Sequence, residues 1–456
     1  MESACLIRTS SQIQCVQKGS IMNIVLLSGG SGKRLWPLSN EVRSKQFIKI
    51  FKDGGNYESM VQRMYKQIKA LDPNATVTIA TSKSQVSAIH NQVGLDVGIS
   101  VEPCRRDTFA AIALATAYLH DVKGVPVDEA VVVCPVDPYV EEGYFKTLET
   151  MCKTAQEESE NLVLMGIEPT YPSEKYGYIK PLERDGKWTW GFTEKPTAEK
   201  AAEYIAAGAL WNGGVFAYKL SYVLGKAAEL LGSADYETLF NGYANLRKIS
   251  FDYAVVEQET SIEVIRYSGT WKDIGTWNAL AEAMEEQVVG NATLGTDCEN
   301  VHIVNELDIP ILAMGLKNTV IAASPDGILV STEDTADKIK PFVDAIDQQV
   351  MFAEKSWGSY QVIDVEDNSL TVKVTLNPGH KMNYHSHDRR DEIWTVISGT
   401  GRTIVDGMEQ PVKAGDVVTM ETGCKHMIIA DTELQLIEVQ LGQDISVSDK
   451  HKYETP

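Results

Sequence analysis

NIVLLSGGSGKRLWPLS, residues 23–39, decides the fold. A short apolar, β-branched run ends in three glycines within four positions, Gly29, Gly30 and Gly32, followed at once by Lys33 and Arg34. The run reads as a buried strand. Glycine lets successive backbone N–H groups turn toward an anion with no side chain in the way, so the strand leads into a candidate phosphate cradle. Between Ser31 and Lys52 stand six basic residues, Lys33, Arg34, Arg43, Lys45, Lys49 and Lys52, against one acid, Glu41. The ATPase P-loop is excluded, because its spacing fails and Arg34 stands where Ser or Thr belongs. The dinucleotide fingerprint also fails, since Leu35 occupies its third glycine position. Taken alone, the glycines fit a solvated turn as well as they fit an anion site.

Outward from this stretch, strand-like and helix-like patterns alternate to about Glu286. TVTIAT and AVVVCPVD read as strands. YESMVQRMYKQIKAL places Met60, Val61, Met64, Tyr65 and Ile68 on one helical face, and DTFAAIALATAYLHDV is a second helix with Asp107 as its expected N-cap. The alternation predicts an α/β domain over 22–286, a parallel sheet with helices on both faces. Short strands with Gly, Asn and Asp turns follow, and Asp337 to Gln348 reads as a linker helix, giving a small β segment over 287–350. From 351 to 456 helical periodicity is gone, and closely spaced strands (SYQVIDV, LTVKVTL, EIWTVISG, GRTIVDG, DVVTME, LQLIEVQ) predict a small barrel or sandwich. Residues 1–21 lack an apolar core and read as a disordered extension rather than a signal peptide, with Met22 as an alternative translation start.

The chain has 456 residues and a net charge of −21, so it should be repelled by nucleic acid and by anionic membrane surfaces. No apolar run is long enough to cross a bilayer. Its seven cysteines are scattered, with no C-x-x-C pair, which points to reduced thiols in a cytoplasm.

GGSGKRLWPLS followed by KQF resembles the signature of sugar-1-phosphate nucleotidyltransferases, particularly the mannose-1-phosphate guanylyltransferases. The resemblance continues in order through VEPCRRDT (101–108), CPVD ending at Asp137, KYGYI (175–179), FTEKP (192–196), WNGGVF (211–216) and WKDIGTW (271–277). It implies a Rossmann-like nucleotidyltransferase domain. It further implies that Gly29, Gly30, Gly32, Lys33, Glu102, Arg106 and Thr108 bind the nucleotide and that Arg34, Lys45 and Lys195 are catalytic. Gly177, Glu194 and Asn212 would bind sugar, and Asp137 and Asp273 would hold Mg²⁺. The implied substrates are GTP and mannose 1-phosphate. Two departures are visible: Asp107 replaces the usual Asn, and Ser44 stands before Lys45 where the family usually has Pro. Each residue also has a plainer reading. An Asp ending a strand often caps a helix, and Trp211, Trp271 and Trp277 read as packing.

Near the C-terminus His385, His387 and Glu392 cluster, and His426 can complete the set. Side chains two apart on a strand share a face, and three imidazoles with a carboxylate suit Zn²⁺, Fe²⁺ or Mn²⁺. The alternative is a charged surface turn. The spacing resembles both halves of the cupin signature, with Glu421 and Ala430 as departures. A guanylyltransferase followed by a cupin resembles the bifunctional type II mannose-6-phosphate isomerase/mannose-1-phosphate guanylyltransferase family. That resemblance implies mannose 6-phosphate as a further substrate, Arg389 or Arg390 as its phosphate ligand, and a homodimer as an assembly to test. The arginines are spaced differently here, in HSHDRRDEIW. Two other readings stay open: transfer to a different sugar with a ligand-sensing cupin, or a protein that only binds a nucleotide sugar.

Overall fold

A computed structural model describes residues 21–30, 33–40, 42–184, 187–446 and 448–456. Gly32, the N-terminal extension and Met1 therefore lie outside the described residues.

The strand Asn23–Ser28 is central in the first domain because its side chains are apolar on both faces: Ile24, Val25 and Leu26 are fully buried. It pairs in parallel with Thr76–Ser82 on one side and Ala130–Pro135 on the other, and Gly98–Glu102 extends the sheet. Two separate apolar clusters cover its two faces. The sheet is not wholly parallel, which corrects the expectation from alternation alone. Leu210–Lys219 runs antiparallel to Ala130–Pro135 and carries the hairpin Gly177–Arg184/Lys187–Thr193 outward. A hairpin contributes its own hydrogen-bond partners and needs no crossover helix, so the second half of the sheet escapes the strand–helix alternation that guided the reading.

The helix Met60–Leu71 follows the predicted face: Met60, Val61, Met64 and Ile68 are buried, and Ser59 closes a capping box with Gln62. Asp107 does not act as the predicted N-cap. It is the first residue of Asp107–Ala117, at φ 69°, and its carboxylate accepts only from the Thr108 amide.

Short strands 288–290, 299–305 and 317–324 stack in parallel in the connecting segment, and 327–332 closes it antiparallel. Its apolar residues Val289, Val304, Val320 and Ala322 share one core with Leu35, Leu38, Ile48 and Ile50 of the glycine-loop region. The predicted linker helix is shorter than expected, a single turn Lys340–Val343 after a 3₁₀ turn, because the polar residues beyond it give no apolar face to bury. The last hundred residues form two packed antiparallel sheets of six and five strands around a core that includes Trp394, Leu376 and Leu434. No helix is long and apolar enough to cross a membrane among the described residues.

Candidate active site and candidate metal centre

Ser28 ends the central strand, and Gly29 and Gly30 turn away from it. Gly30 has φ +111°, a conformation L side chains rarely adopt. The two glycines line a cavity of about 220 Å³ together with Ser82, Gln85, Glu102 and Arg105. Glu102 accepts a hydrogen bond from the Tyr243 hydroxyl at 2.8 Å, and burial raises its carboxyl above the usual range. Thr108 accepts from the Phe251 amide at 2.8 Å, and Arg106 donates to the Ala244 carbonyl. Glu102 thus lines the cavity, and all three residues are tied to the segment Tyr243 to Phe251.

Arg34 stands exposed on the 3₁₀ turn that follows the loop. The other five basic residues of this region are drawn into ion pairs, which corrects the picture of a bare positive island. Lys33 meets Asp344 at 3.1 Å, Arg43 meets Glu306 at 2.7 Å, Lys49 meets Glu354 at 2.9 Å and Lys52 meets Glu286 at 2.5 Å. Four of these partners lie downstream of position 285, so a sequence read locally places them far away.

Lys45 has different partners. Trp271–Asp273 pairs antiparallel with Pro138–Val140, setting Asp273 opposite Pro138 and therefore beside Asp137. The Lys45 ammonium lies between the carboxylates, 2.7 Å from Asp137 Oδ2 and 3.4 Å from Asp273 Oδ1. Burial alone would lower its pKa, but the two carboxylates outweigh that and hold it above the ordinary lysine value. Two carboxylates sharing one cation are the hard-oxygen donor set that suits Mg²⁺. The residues present fit that ion.

Gly177, Glu194, Lys195 and Asn212 also come together. Leu210–Lys219 pairs with the hairpin so that Asn212 lies opposite Gly177. A Cβ on Gly177 would sit 2.6 Å from Glu194 Oε2 and 2.6 Å from the Phe192 ring, so glycine is required for this close approach. Lys195 ion-pairs with Glu194. Sequence reasoning missed Asp252, which accepts from Asn212 Nδ2 at 2.6 Å. Burial, reinforced by the nearby Glu194 charge and opposed by the Asn212 bond, raises Asp252 to about 6. Its FDYA surroundings carry no spacing that links it to residue 212. Trp211 and Trp277 are buried packing residues, and Trp271 lies against Tyr176 and Trp211, as read from sequence.

His385, His387, Glu392 and His426 converge inside the C-terminal barrel, all buried, with ligand atoms within 4.8 Å of one another. His385 Nδ1 lies 2.6 Å from the Asn383 carbonyl, His387 Nδ1 2.5 Å from that of Asp449 and His426 Nδ1 3.0 Å from that of Cys424. A carbonyl only accepts, so each Nδ1 bears a proton and Nε2 is the ring atom turned to the centre. Burial, with Lys450 and His426 nearby, lowers His385 to about 2 and keeps it neutral. His426 Nε2 and Glu392 Oε2 lie 3.2 Å apart, and neither has another hydrogen-bond partner. Three buried imidazoles and a carboxylate converging on one point fit a divalent metal.

The two arginines separate. Arg390 is buried, with Nε 3.0 Å from Glu392 Oε1 and Nη2 3.1 Å from His387 Nε2, whereas Arg389 is more exposed and lies near Asp449. Also missed from sequence was Glu438, which burial and the nearby Glu392 charge raise to about 7, with Gln440 donating to it at 2.5 Å. It lies on the strand beside Glu392, at an alternating position that strand periodicity could have flagged.

Residues 23–288 match the family model described as Nucleotidyl transferase, and 372–440 match that of the Cupin domain. The chain belongs to the nucleotidyl transferase family and carries a C-terminal cupin. Its full-length relatives include the mannose-1-phosphate guanylyltransferase RfbM of Salmonella typhimurium, 29% identical over 93% of this chain and 95% of that protein. Another is the xanthan biosynthesis protein XanB of Xanthomonas campestris, 29% identical over 94% of this chain and 97% of that one. A crystal structure from Thermus thermophilus, described as a mannose-1-phosphate geranyltransferase, is 30% identical, with a TM-score of 0.60, and covers 71% of this chain and 98% of its own.

Proposed function

We propose that this enzyme joins mannose 1-phosphate to GTP, releasing pyrophosphate and forming GDP-mannose. The observation that carries this reading is the meeting of Lys45, Asp137 and Asp273 beside the glycine turn. The sugar phosphate oxygen attacks the α-phosphorus, and the bond to the leaving pyrophosphate breaks. Both reactants are anions, so catalysis consists of positioning and charge neutralisation. Asp137 and Asp273 would hold Mg²⁺, which when bound supplies charge neutralisation to the phosphates. Gly29 and Gly30, with Gly32 by resemblance, cradle the triphosphate beside Lys33, and Arg34 meets the departing pyrophosphate. Glu102, Arg106 and Thr108 frame the nucleoside. Lys195 takes the sugar phosphate, while Glu194 and Asn212 bind sugar hydroxyls beside Gly177. Guanine and mannose are chosen on the relatives' names.

The decisive assay screens nucleoside triphosphates against sugar 1-phosphates and reads pyrophosphate. GTP with mannose 1-phosphate should be the best pair, and another pair winning would overturn the specificity. Arg34→Ala should lose at least 100-fold in turnover with an unchanged melting temperature; near-normal turnover would remove Arg34 from the mechanism.

A second activity, isomerisation of mannose 6-phosphate and fructose 6-phosphate, is the reading we attach to the cupin, supported by its four inward ligands. Zn²⁺, Fe²⁺ or Mn²⁺ held there would polarise the sugar carbonyl. Arg389, the more exposed arginine, is the better placed to meet a substrate phosphate. Failure to form mannose 6-phosphate from fructose 6-phosphate with added metal would leave the cupin as a ligand-sensing domain.

A further inference from the structure

We propose that Ser44 is a positioning residue whose hydroxyl fastens the glycine turn to the Lys45 turn, so that cradle and cation move as one unit. The inference rests on reading Gly29 and Gly30 as part of a triphosphate cradle.

Ser44 is fully buried, and its Oγ donates to the Gly30 carbonyl at 3.1 Å. The same Oγ accepts from Gln85 Nε2 at 2.7 Å, and that amide also approaches the Gly30 carbonyl at 3.5 Å. Gln85 is itself held: its Oε1 accepts from Thr81 Oγ1 at 2.8 Å and lies 3.4 Å from Gln46 Nε2, which donates to Ser28 Oγ at 3.0 Å. Ser28, Ser44, Gln46, Thr81 and Gln85 are all almost wholly buried. They form a polar floor beneath the loop, joining the segments around Ser28, Ser44 and Gln85. A buried network whose members are satisfied fixes one geometry, because any displaced group loses its partner without gaining water.

The direction of the bonds matters. A carbonyl oxygen aimed at a triphosphate would repel it. Drawing the Gly30 carbonyl down into the protein turns that dipole away from the ligand and sets the peptide plane at the glycine. Glycine at φ +111° is soft by itself, and Ser44 supplies what holds it. The Ser44 backbone lies at φ −74° and ψ 164°, within proline's range. Proline at this position would stiffen the chain but could offer Gly30 no donor. The serine therefore acts through a bond between segments and not through backbone stiffness.

The test measures GTP affinity of the full chain by calorimetry, together with steady-state constants for GTP and mannose 1-phosphate. Ser44→Ala, Ser44→Pro and Gln85→Leu should each weaken GTP binding and raise its KM about tenfold. Each should leave the KM for mannose 1-phosphate within twofold, with wild-type circular dichroism. The Ser44→Ala/Gln85→Leu double variant should lose less than the sum of the two single losses, since the side chains bond each other and share the Gly30 carbonyl. Ser44→Pro with wild-type GTP affinity would overturn the proposal in favour of backbone stiffness. Unchanged GTP binding in Ser44→Ala, or a loss confined to kcat, would overturn it too. A wild-type chain that binds no nucleoside triphosphate would instead sink the cradle reading itself, an outcome distinct from the other two.

Discussion

Asp252 shows how one buried acid writes a pH dependence into the fold. Its carboxyl is raised from the ordinary 3.8 to about 6, chiefly by burial, with Glu194 adding repulsion and Asn212 donating a partial correction. The folded chain therefore holds this proton more tightly than the unfolded chain does. The contribution to stability is fully present below about pH 4 and is lost as the pH rises through 6. Asp252→Asn removes the group that must ionise. The stability of this variant relative to wild type should rise by about 2 kcal/mol between pH 4 and pH 7.5. Urea unfolding at the two pH values measures it, and a difference that does not grow with pH would contradict the assignment. Residues of this kind were not legible in the sequence. Asp137 and Asp273 could be read because each sits in a recognisable string, whereas Asp252 becomes visible only when Asn212, forty positions earlier, is folded against it.

At the scale of elements, the short strands and turns bring the charges together. The ladder between Pro138–Val140 and Trp271–Asp273 is only three residues long, yet it places the two candidate magnesium ligands on one lysine. The loop Asn40–Ser44 is likewise set by distant partners: Asn40 donates to Asp326 at 2.8 Å, and Arg43 forms a two-pronged pair with Glu306 at 2.7 and 2.8 Å. Arg43 is buried, so removing its partner strands a guanidinium. Glu306→Ala should cost about 2 kcal/mol, discounted from the usual range for a broken buried pair because Glu306 is partly exposed. Chemical denaturation would register it, and Glu306→Gln should recover part of the loss by retaining an acceptor. An unaffected Glu306→Ala variant would show that the pair is incidental. Periodicity identified Met60–Leu71 and the cupin strands, because their patterns are local. It overextended the linker helix and took the sheet for parallel, since neither the end of an apolar face nor a strand's direction is encoded in alternation.

Over the whole molecule, the net charge of −21 hides a division of labour. Acids from the connecting segment and the start of the cupin reach back to the basic loop: Glu306, Asp344 and Glu354 are its counter-charges, and Glu354 also accepts from Gln92. The first 288 residues therefore hold the motifs of the transferase but not all the contacts that shape its loop. The Lys355 and Gly358 carbonyls, which accept from Asn91, add to the same seam.

The three Nδ1-to-carbonyl anchors of the cupin also fix a proton inventory. Each imidazole turns its Nε2 to the centre, where that of His387 meets Arg390 Nη2 at 3.1 Å, and Glu392 is already paired with Arg390 as a carboxylate. Three imidazoles with one N–H each and a carboxylate make a set with no proton to surrender when a metal arrives, unlike a thiolate site. At pH 8, where Glu438 is mostly ionised as well, the calorimetric enthalpy of Zn²⁺ binding should be the same in buffers of widely different ionisation heat. At pH 6 Glu438 is protonated and becomes the buried group poised to release a proton, so a buffer dependence should emerge there and vanish in Glu438→Gln. A full proton released at pH 8 would mean that at least one histidine of the free site carries a hydrogen on both nitrogens.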